Sequence, residues 1–274
     1  MSDKVVTGID AESGIGTITF NRPQVLNALD GEAIASFRGA CEQLADDAAA
    51  RVVVLRGAGP AFLSGGDVAV FHANIAQAPA LAGRTIADLN AAILALRRMP
   101  KPVLAVVHGA VAGAGLSIMA AVDLAIAADN TRFALAYSRI GASPDGGATY
   151  FLPRIVGLRK ALELTLLADP FDAVVARDLG LLNWVVPSDQ LDAQAAQVAR
   201  RLADGPAIAY AETKRLLNES FGNGLPVQLA AESDAFVECA KSRDFAEGVA
   251  AFVEKRAAKF GGRELSRIGR RKKQ

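Results

Sequence analysis

Two short turns of small residues, Ser64-Gly65-Gly66-Asp67 and Gly113-Ala114-Gly115, are where this chain could do chemistry. Each follows an apolar, strand-like run: Val52–Leu55 with its extension to Phe62, and Pro102–Val107. Each would present bare backbone N–H groups where a helix begins. Two such turns brought together make converging donors for a developing oxyanion, so the expected chemistry is polarisation of a carbonyl. A further candidate is Asp145, between Pro144 and the Gly146-Gly147 pair, in a loop leading into a helix around Ala148–Leu152. A carboxylate there can be a base, a nucleophile, or the N-cap of a helix starting at Gly146 or Gly147. Asp67 can likewise cap the helix after its turn. Of the two histidines, His108 ends an apolar strand and reads as structural, whereas His72 follows Phe71 after the first turn, in a loop or on the surface. Without clustered Cys or Asp ligands they make no metal site.

Positioning these residues needs a sizeable core, which 274 residues can bury. Thr17–Phe20, Val52–Arg56, Pro102–Val107 and Leu124–Ala127 read as strands. Asp30–Ala45 has helical spacing, with Ile34, Phe37, Cys41 and Leu44 on one face and Asp30 as N-cap, and Leu116–Ala121 fits a buried helix. Strand–turn–helix units thus fill the first two thirds of the chain. After about Pro187 the pattern becomes helical: Asp192–Leu202, Ala207–Glu219, Val227–Ala240 and Asp244–Ala258. The division expected is a core over 1–195 and a helical region over 196–274. The segment from Val68 to Arg84, rich in small residues, reads as a mobile loop that sets pocket length.

Acids (29) and bases (30) nearly cancel, so no global field argues for nucleic acid or a membrane surface. The longest apolar stretch, Val103 to Ala128, is broken by His108, glycines and Asp123, and reads as strand, turn and buried helix. Met1-Ser2-Asp3-Lys4 lacks the basic-then-apolar pattern of a secretory signal. Cys41 and Cys239 lie far apart and read as reduced thiols of a cytoplasmic protein. The basic end, Arg267 to Gln274, reads as a solvated tail.

From Asn21-Arg22-Pro23-Gln24-Val25-Leu26-Asn27-Ala28-Leu29 onward the chain closely resembles the enoyl-CoA hydratase/isomerase (crotonase) superfamily. The resemblance continues through Ala61-Phe62-Leu63-Ser64-Gly65-Gly66-Asp67, His108-Gly109-Ala110-Val111-Ala112-Gly113-Ala114-Gly115 and Pro144-Asp145-Gly146-Gly147, to Phe252-Val253-Glu254-Lys255-Arg256. It implies an α/β fold, a spiral core of ββα turns followed by helices that pack in a trimer or a hexamer made of two trimers. It implies acyl-coenzyme A thioesters as ligands, with the peptide N–H groups of Gly66 and Ala114 as the oxyanion hole. Ala114 replaces the glycine commonest there, which a backbone donor tolerates if φ is negative. Family matching places Ser64, Gly65, Gly66, Asp67 and Val68 along the pantetheine and thioester. Gln24 and Val25 would lie near the CoA nucleotide, and Phe260 would reach CoA bound by a neighbouring subunit. Phe71 and His72 fall in a stretch that lines the acyl pocket.

Hydratases of this superfamily use two glutamates as an acid/base pair on water. By resemblance, Ser117 stands in the place of the first and Tyr137 in the place of the second. Neither is a carboxylate, so efficient hydration is not expected. Asp145 matches a position that carries a working aspartate in dienoyl-CoA isomerases, in ring-type isomerases of aromatic catabolism and in a dehalogenase that uses it as nucleophile. The resemblance therefore implies an enoyl-CoA isomerase. Asp145 would move a proton from C2 to C4 of a 3-enoyl thioester while Ser117 and Tyr137 shape the pocket. The cofactor would be none beyond the CoA moiety of the substrate. Three alternatives remain open. A residual hydratase would need Asp145 to take over the activation of water. Asp145 as nucleophile would make an acyl-CoA hydrolase or dehalogenase, although Arg84–Leu96 lacks the helper histidine of that branch. A non-catalytic CoA- or RNA-binding member rests only on the basic end.

Overall fold

The computed structural model describes residues 3–261. It is a mixed α/β protein with a six-stranded sheet, a three-stranded sheet and eleven α-helices among the described residues. The chain runs through β1 (Val5–Asp10), β2 (Ile15–Phe20), α1 (Gly31–Asp46), β3 (Val52–Gly57), α2 (Val68–Ala73), α3 (Ala78–Arg98), β4 (Val103–Val107), β5 (Ala110–Ala112), α4 (Ala114–Ala121), β6 (Leu124–Ala128) and β7 (Arg132–Ala134). It continues through α5 (Ala148–Val156), α6 (Leu158–Leu166), β8 (Phe171–Asp172), α7 (Ala173–Asp178), β9 (Trp184–Val186), α8 (Leu191–Ala203), α9 (Ala207–Glu219), α10 (Leu225–Ala240) and α11 (Arg243–Glu254).

The larger sheet has the order β1-β2-β3-β4-β6-β9, with β1 antiparallel to β2 and every later pair parallel. Its central strands are apolar on both faces, as a parallel sheet covered on both sides requires. Val53 and Leu55 of β3, Val103, Ala105 and Val107 of β4, and Ala125 and Ala127 of β6 share the main core with Phe37 of α1 and Leu89 of α3. Their alternates, Val54, Leu104, Val106 and Ile126, face Leu191, Ala195 and Ala199 of α8. This period of two puts α1 and α3 on one face and α8 on the other. Ala195, the last residue of the expected core, thus sits inside α8 and against the sheet.

Asp30 caps α1 as expected, its carboxylate accepting from the Ala33 amide at 2.8 Å. Several expectations need correction. β1 carried no expectation; it is an edge strand whose residues alternate with solvent, and its sheet partner is β2. The Val68–Arg84 segment is helical rather than a loop. It forms α2, a 3-10 turn at Ile75–Gln77 and the start of α3, where Pro79 suits a first turn. α4 begins at Ala114, two residues before the expected start, because its first amides belong to the glycine turn. α11 stops at Glu254 rather than Ala258, since Lys255 adopts φ 55°. The chain then doubles back: Arg256 pairs with Glu247 at 2.7 Å, and the Gly261 amide donates to Asp244. Arg267 to Gln274 lie outside the described residues.

Candidate active site

The first glycine turn lies beyond the carboxyl end of β3 and the second directly after β5, which follows β4; Leu63 and Val111, just ahead of the two turns, form a parallel bridge. Ligands of open α/β sheets gather at that edge. The first turn is held by Asn27, which is buried at φ 60°, a conformation asparagine tolerates. Its side-chain amide donates to the carbonyls of Ala58, Ala61 and Phe62, and its Oδ1 accepts from the Arg22 amide. Arg22 lies 3.1 Å from the Asp67 carboxylate and 3.2 Å from that of Asp30. Asp67 therefore does not cap α2 with its side chain; its carboxylate is taken by Arg22. Asn27 and Arg22 were not singled out from sequence, although both lie in the Asn21–Leu29 motif. The available signal was a run ending in Asn27-Ala28-Leu29 directly before a helix cap.

The Leu29 amide donates to Gly65 O at 2.8 Å, and Leu29 O accepts from the Asp67 amide at 2.9 Å. In such a parallel bridge the intervening residue turns its own amide to the opposite side. The Gly66 N–H thus faces away from Leu29. Ala114 is the first residue of α4, where helix amides lack intrahelical acceptors and the helix dipole favours negative charge. The two turns touch. A Cβ on Gly65 (φ 106°) would sit 3.1 Å from Ala112 O and 3.6 Å from Gly113 Cα; one on Gly113 (φ 50°) would sit 3.7 Å from Gly65 Cα and 4.0 Å from Tyr137 Cζ. Only glycine permits both the positive φ and this approach.

Three polar side chains from three segments meet beside the turns. Tyr137 donates its phenolic hydrogen to Asp145 Oδ1 at 2.6 Å. Ser117 Oγ lies 3.0 Å from Tyr137 Oη and 3.3 Å from Gly113 O. Ser117 and Tyr137 are buried and Asp145 is half-buried. Burial raises the Asp145 carboxyl above the usual aspartate range, and the Tyr137 hydrogen bond partly opposes it. Burial and the neighbouring Asp145 charge push the Tyr137 phenol up. The N-cap expectation for Asp145 fails. Gly146 and Gly147 both have positive φ, α5 starts at Ala148, and the Asp145 side chain makes no cap bond. A half-buried carboxylate of raised pKa, linked through Tyr137 and Ser117 to the second glycine turn, is chemically suited to exchange a proton with a carbon acid.

The other expected residues distribute as follows. Gln24 and Val25 form an exposed 3-10 turn, and Val25 O lies 3.4 Å from Ser64 Oγ, so this strip borders the first turn. Val68, Phe71 and His72 lie on α2, with His72 exposed at its end; no hydrogen bond joins Phe71 or His72 to the Asp145 group among the described residues. His108 is structural as expected, its Nε2 bonded to Gly59 O at 2.8 Å. The Phe260 ring lies against Gly248 of α11. No cluster of His, Cys, Asp and Glu suited to a metal exists among the described residues. Cys41 is buried, Cys239 is partly exposed, and both are free thiols.

A sequence model of enoyl-CoA hydratase/isomerase proteins matches residues 10–263. Over 256 residues the chain is 37% identical to a "Probable enoyl-CoA hydratase" of Rhodobacter capsulatus, covering 93% of this chain and 97% of that one. Over 253 residues it is 35% identical to the 1,2-epoxyphenylacetyl-CoA isomerase of Escherichia coli, covering 92% and 97%. The crystal structure of an enoyl-CoA hydratase from Polaromonas superposes with a TM-score of 0.88 at 34% identity, covering 93% of this chain and 99% of that one. The family match includes both glycine turns and the Ser117–Tyr137–Asp145 group, and the chain belongs to the enoyl-CoA hydratase/isomerase family.

Proposed function

We propose that this acyl-CoA-processing enzyme is a double-bond isomerase that converts 3-enoyl-CoA to 2-enoyl-CoA. The observation that carries the reading is a half-buried carboxylate, Asp145, which is hydrogen-bonded to Tyr137 beside the paired turns and, unlike Asp67, is not taken by an arginine. The amides of Gly66 and Ala114 hold the thioester oxygen. Asp145 removes the C2 proton, the electron pair moves into the carbonyl as an enolate, and the same carboxyl returns the proton at C4. One carboxyl serves both steps, so no second acid is required. Ser117 and Tyr137, in the places of the hydratase glutamates, cannot deprotonate water at neutral pH. The Escherichia coli relative, named 1,2-epoxyphenylacetyl-CoA isomerase, supports isomerisation of an acyl-CoA in general.

The substrate's CoA would run along Ser64–Val68, with Gln24 and Val25 at its nucleotide end and Phe71 and His72 toward the acyl chain; no other cofactor is invoked. The assembly proposed is a trimer, or a hexamer of two trimers. Its support is the apolar surface of the C-terminal helices, where Leu225 and Phe252 are 71% and 86% exposed. Phe260, at the end of that region, would then reach a neighbour's CoA. The free Cys41 and Cys239 fit the cytoplasm. Among the described residues no helix is long and apolar enough to cross a membrane.

The test is turnover of 3-hexenoyl-CoA by wild type and Asp145→Asn, followed by the absorbance of the conjugated product. Product from wild type, with a loss of roughly 10²–10⁴-fold in the variant, is expected. Absence of product from wild type that still binds CoA removes the straight-chain reading. A second reading, hydration, is favoured by the names of other relatives, including a crotonyl-CoA hydratase of Syntrophomonas wolfei at 32% identity. Loss of 2-butenoyl-CoA absorbance at the rate of a dedicated hydratase would establish it.

A further inference from the structure

We propose that Ser117 is a two-position hydroxyl that couples the protonation of Asp145 to the donor strength of the Ala114 amide. The proposal rests on the reading above, with Asp145 as proton acceptor and Ala114 N–H as oxyanion donor. Ser117 is fully buried in α4, and its one hydroxyl proton has two acceptors in reach: Tyr137 Oη at 3.0 Å and Gly113 O at 3.3 Å. Gly113 O and the Ala114 N–H belong to one peptide group. A donor on that oxygen draws electron density from the nitrogen and makes its N–H a stronger donor. Gly113 O already accepts from the Leu116 and Ser117 amides at 3.0 and 3.1 Å. The hydroxyl is the donor on this carbonyl that can move.

Its position follows the charge on Asp145. While the carboxylate is ionised, Tyr137 donates to it at 2.6 Å, and the electron-enriched phenolic oxygen is the better acceptor for Ser117. Abstraction breaks the substrate C–H bond and forms an O–H bond on Asp145, while the electron pair moves to the thioester oxygen. The charge that polarised Tyr137 is then gone, and the Ser117 proton turns to Gly113 O. The Ala114 amide is thus at its strongest while the enolate oxygen exists. Return of the proton to carbon restores the charge, and the hydroxyl swings back. No other charge competes for this chain among the described residues. Tyr137 is the titratable group bonded to Asp145, no ion pair reaches Asp145, and the side chains packed on Gly146 are Ser117 of α4 and Leu89 of α3.

The test uses hexanoyl-CoA carrying ¹³C at the carbonyl, a saturated thioester that cannot isomerise, and difference infrared spectra of the bound C=O stretch across a pH titration. In wild type the band is expected to move to lower wavenumber as pH falls through the Asp145 titration. Ser117→Ala is expected to fix it at the high-pH position. Tyr137→Phe leaves Ser117 with Gly113 O as its acceptor and fixes the band at the low-pH position. Asp145→Asn, an isosteric change, does the same and supplies the answer if a pocket variant does not fold. A general loss of packing does not produce opposite fixed positions in two variants. A band in Ser117→Ala that still moves as in wild type would mean that the Asp145 charge acts through space, and would overturn the coupling. So would Ser117→Ala and Tyr137→Phe shifting in the same direction. A bound carbonyl with the free thioester frequency in every protein sinks the oxyanion reading and the coupling together. The full infrared pattern without turnover of 3-hexenoyl-CoA supports the coupling and removes only the isomerase reading.

Discussion

The Tyr137 phenol donates to Asp145 across 2.6 Å, although the two residues belong to different segments flanking a 3-10 turn at Ser138–Ile140. Tyr137 is therefore more than a pocket wall. It is a donor aimed at the carboxylate, and it stabilises the ionised form against burial.

Tyr137→Phe removes that donor and leaves only a backbone hydrogen bond to oppose burial. The Asp145 carboxyl then rises further, and the acid limb of kcat/KM, which needs the ionised base, moves to higher pH. The loss should be largest on the acid side of the profile and shrink as pH rises. A pH–rate profile of both proteins with 3-hexenoyl-CoA checks this; an unshifted limb would mean that another group controls it.

Gly65→Ala should cost both activity and stability, whereas Gly66→Ala should leave the fold intact. Gly65 sits at φ 106°, and its added Cβ would meet Ala112 O at 3.1 Å, forcing the turns apart. Strain of this kind costs about 1–3 kcal/mol. Displacing an oxyanion donor costs roughly 10²–10³-fold in kcat. A Cβ on Gly66 meets nothing within 4 Å, so its unfolding free energy should stay within about 0.5 kcal/mol of wild type. Urea unfolding of the two variants separates the cases.

Asn27→Ala should be among the most destabilising single changes near the site. It removes donors to three carbonyls and the acceptor for the Arg22 amide, and places alanine at φ 60°. Unpaired buried groups cost about 1–3 kcal/mol, and the left-handed conformation adds about 1–2 kcal/mol. A urea midpoint unchanged from wild type would show that the loop from Ala58 to Phe62 holds itself.

What was legible in the sequence follows from what is local. The helix over Ala207–Glu219 was bounded correctly because Gly205-Pro206 punctuates its start. The glycine turns announced themselves because positive φ and close backbone approach require that residue type. Asp145 was visible as an acid between a proline and two glycines, and the helix-cap alternative for it is excluded only by the structure. The conformations of Gly146 and Gly147 (φ 58° and 83°) delay α5 to Ala148. The partner of Asp67 was hidden because Arg22 lies 45 residues away, and the Ser117–Tyr137–Asp145 chain because it joins three segments. The Val68–Arg84 helices were missed because their support is tertiary. Farther along α3, Leu89, Ala92, Ile93 and Leu96 are buried, and the helix packs along α1.

Lys101 offers a test of the core that does not involve the site. Its side chain is 2% exposed, and Nζ donates to Leu44 O and Asp47 O at 2.8 and 2.7 Å, closing the C-terminal end of α1. Burial lowers its pKa to about 8, against 10.5 for an ordinary lysine, with Asp47 and Asp46 partly opposing. Below pH 8 both folded and unfolded chains carry the proton, and the cost of burying the charge is fully present. Between pH 8 and 10.5 the unfolded chain holds more protons than the folded one, so this residue's contribution to stability rises with pH. The gain is bounded by roughly 3 kcal/mol. Lys101→Met cannot titrate there, and the other ionisable groups cancel in the comparison. Wild type should therefore gain stability relative to Lys101→Met between pH 7.5 and 10 in urea unfolding. A constant difference across that range would mean that the two carbonyls hold the ammonium charged in the folded state as firmly as water does in the unfolded chain.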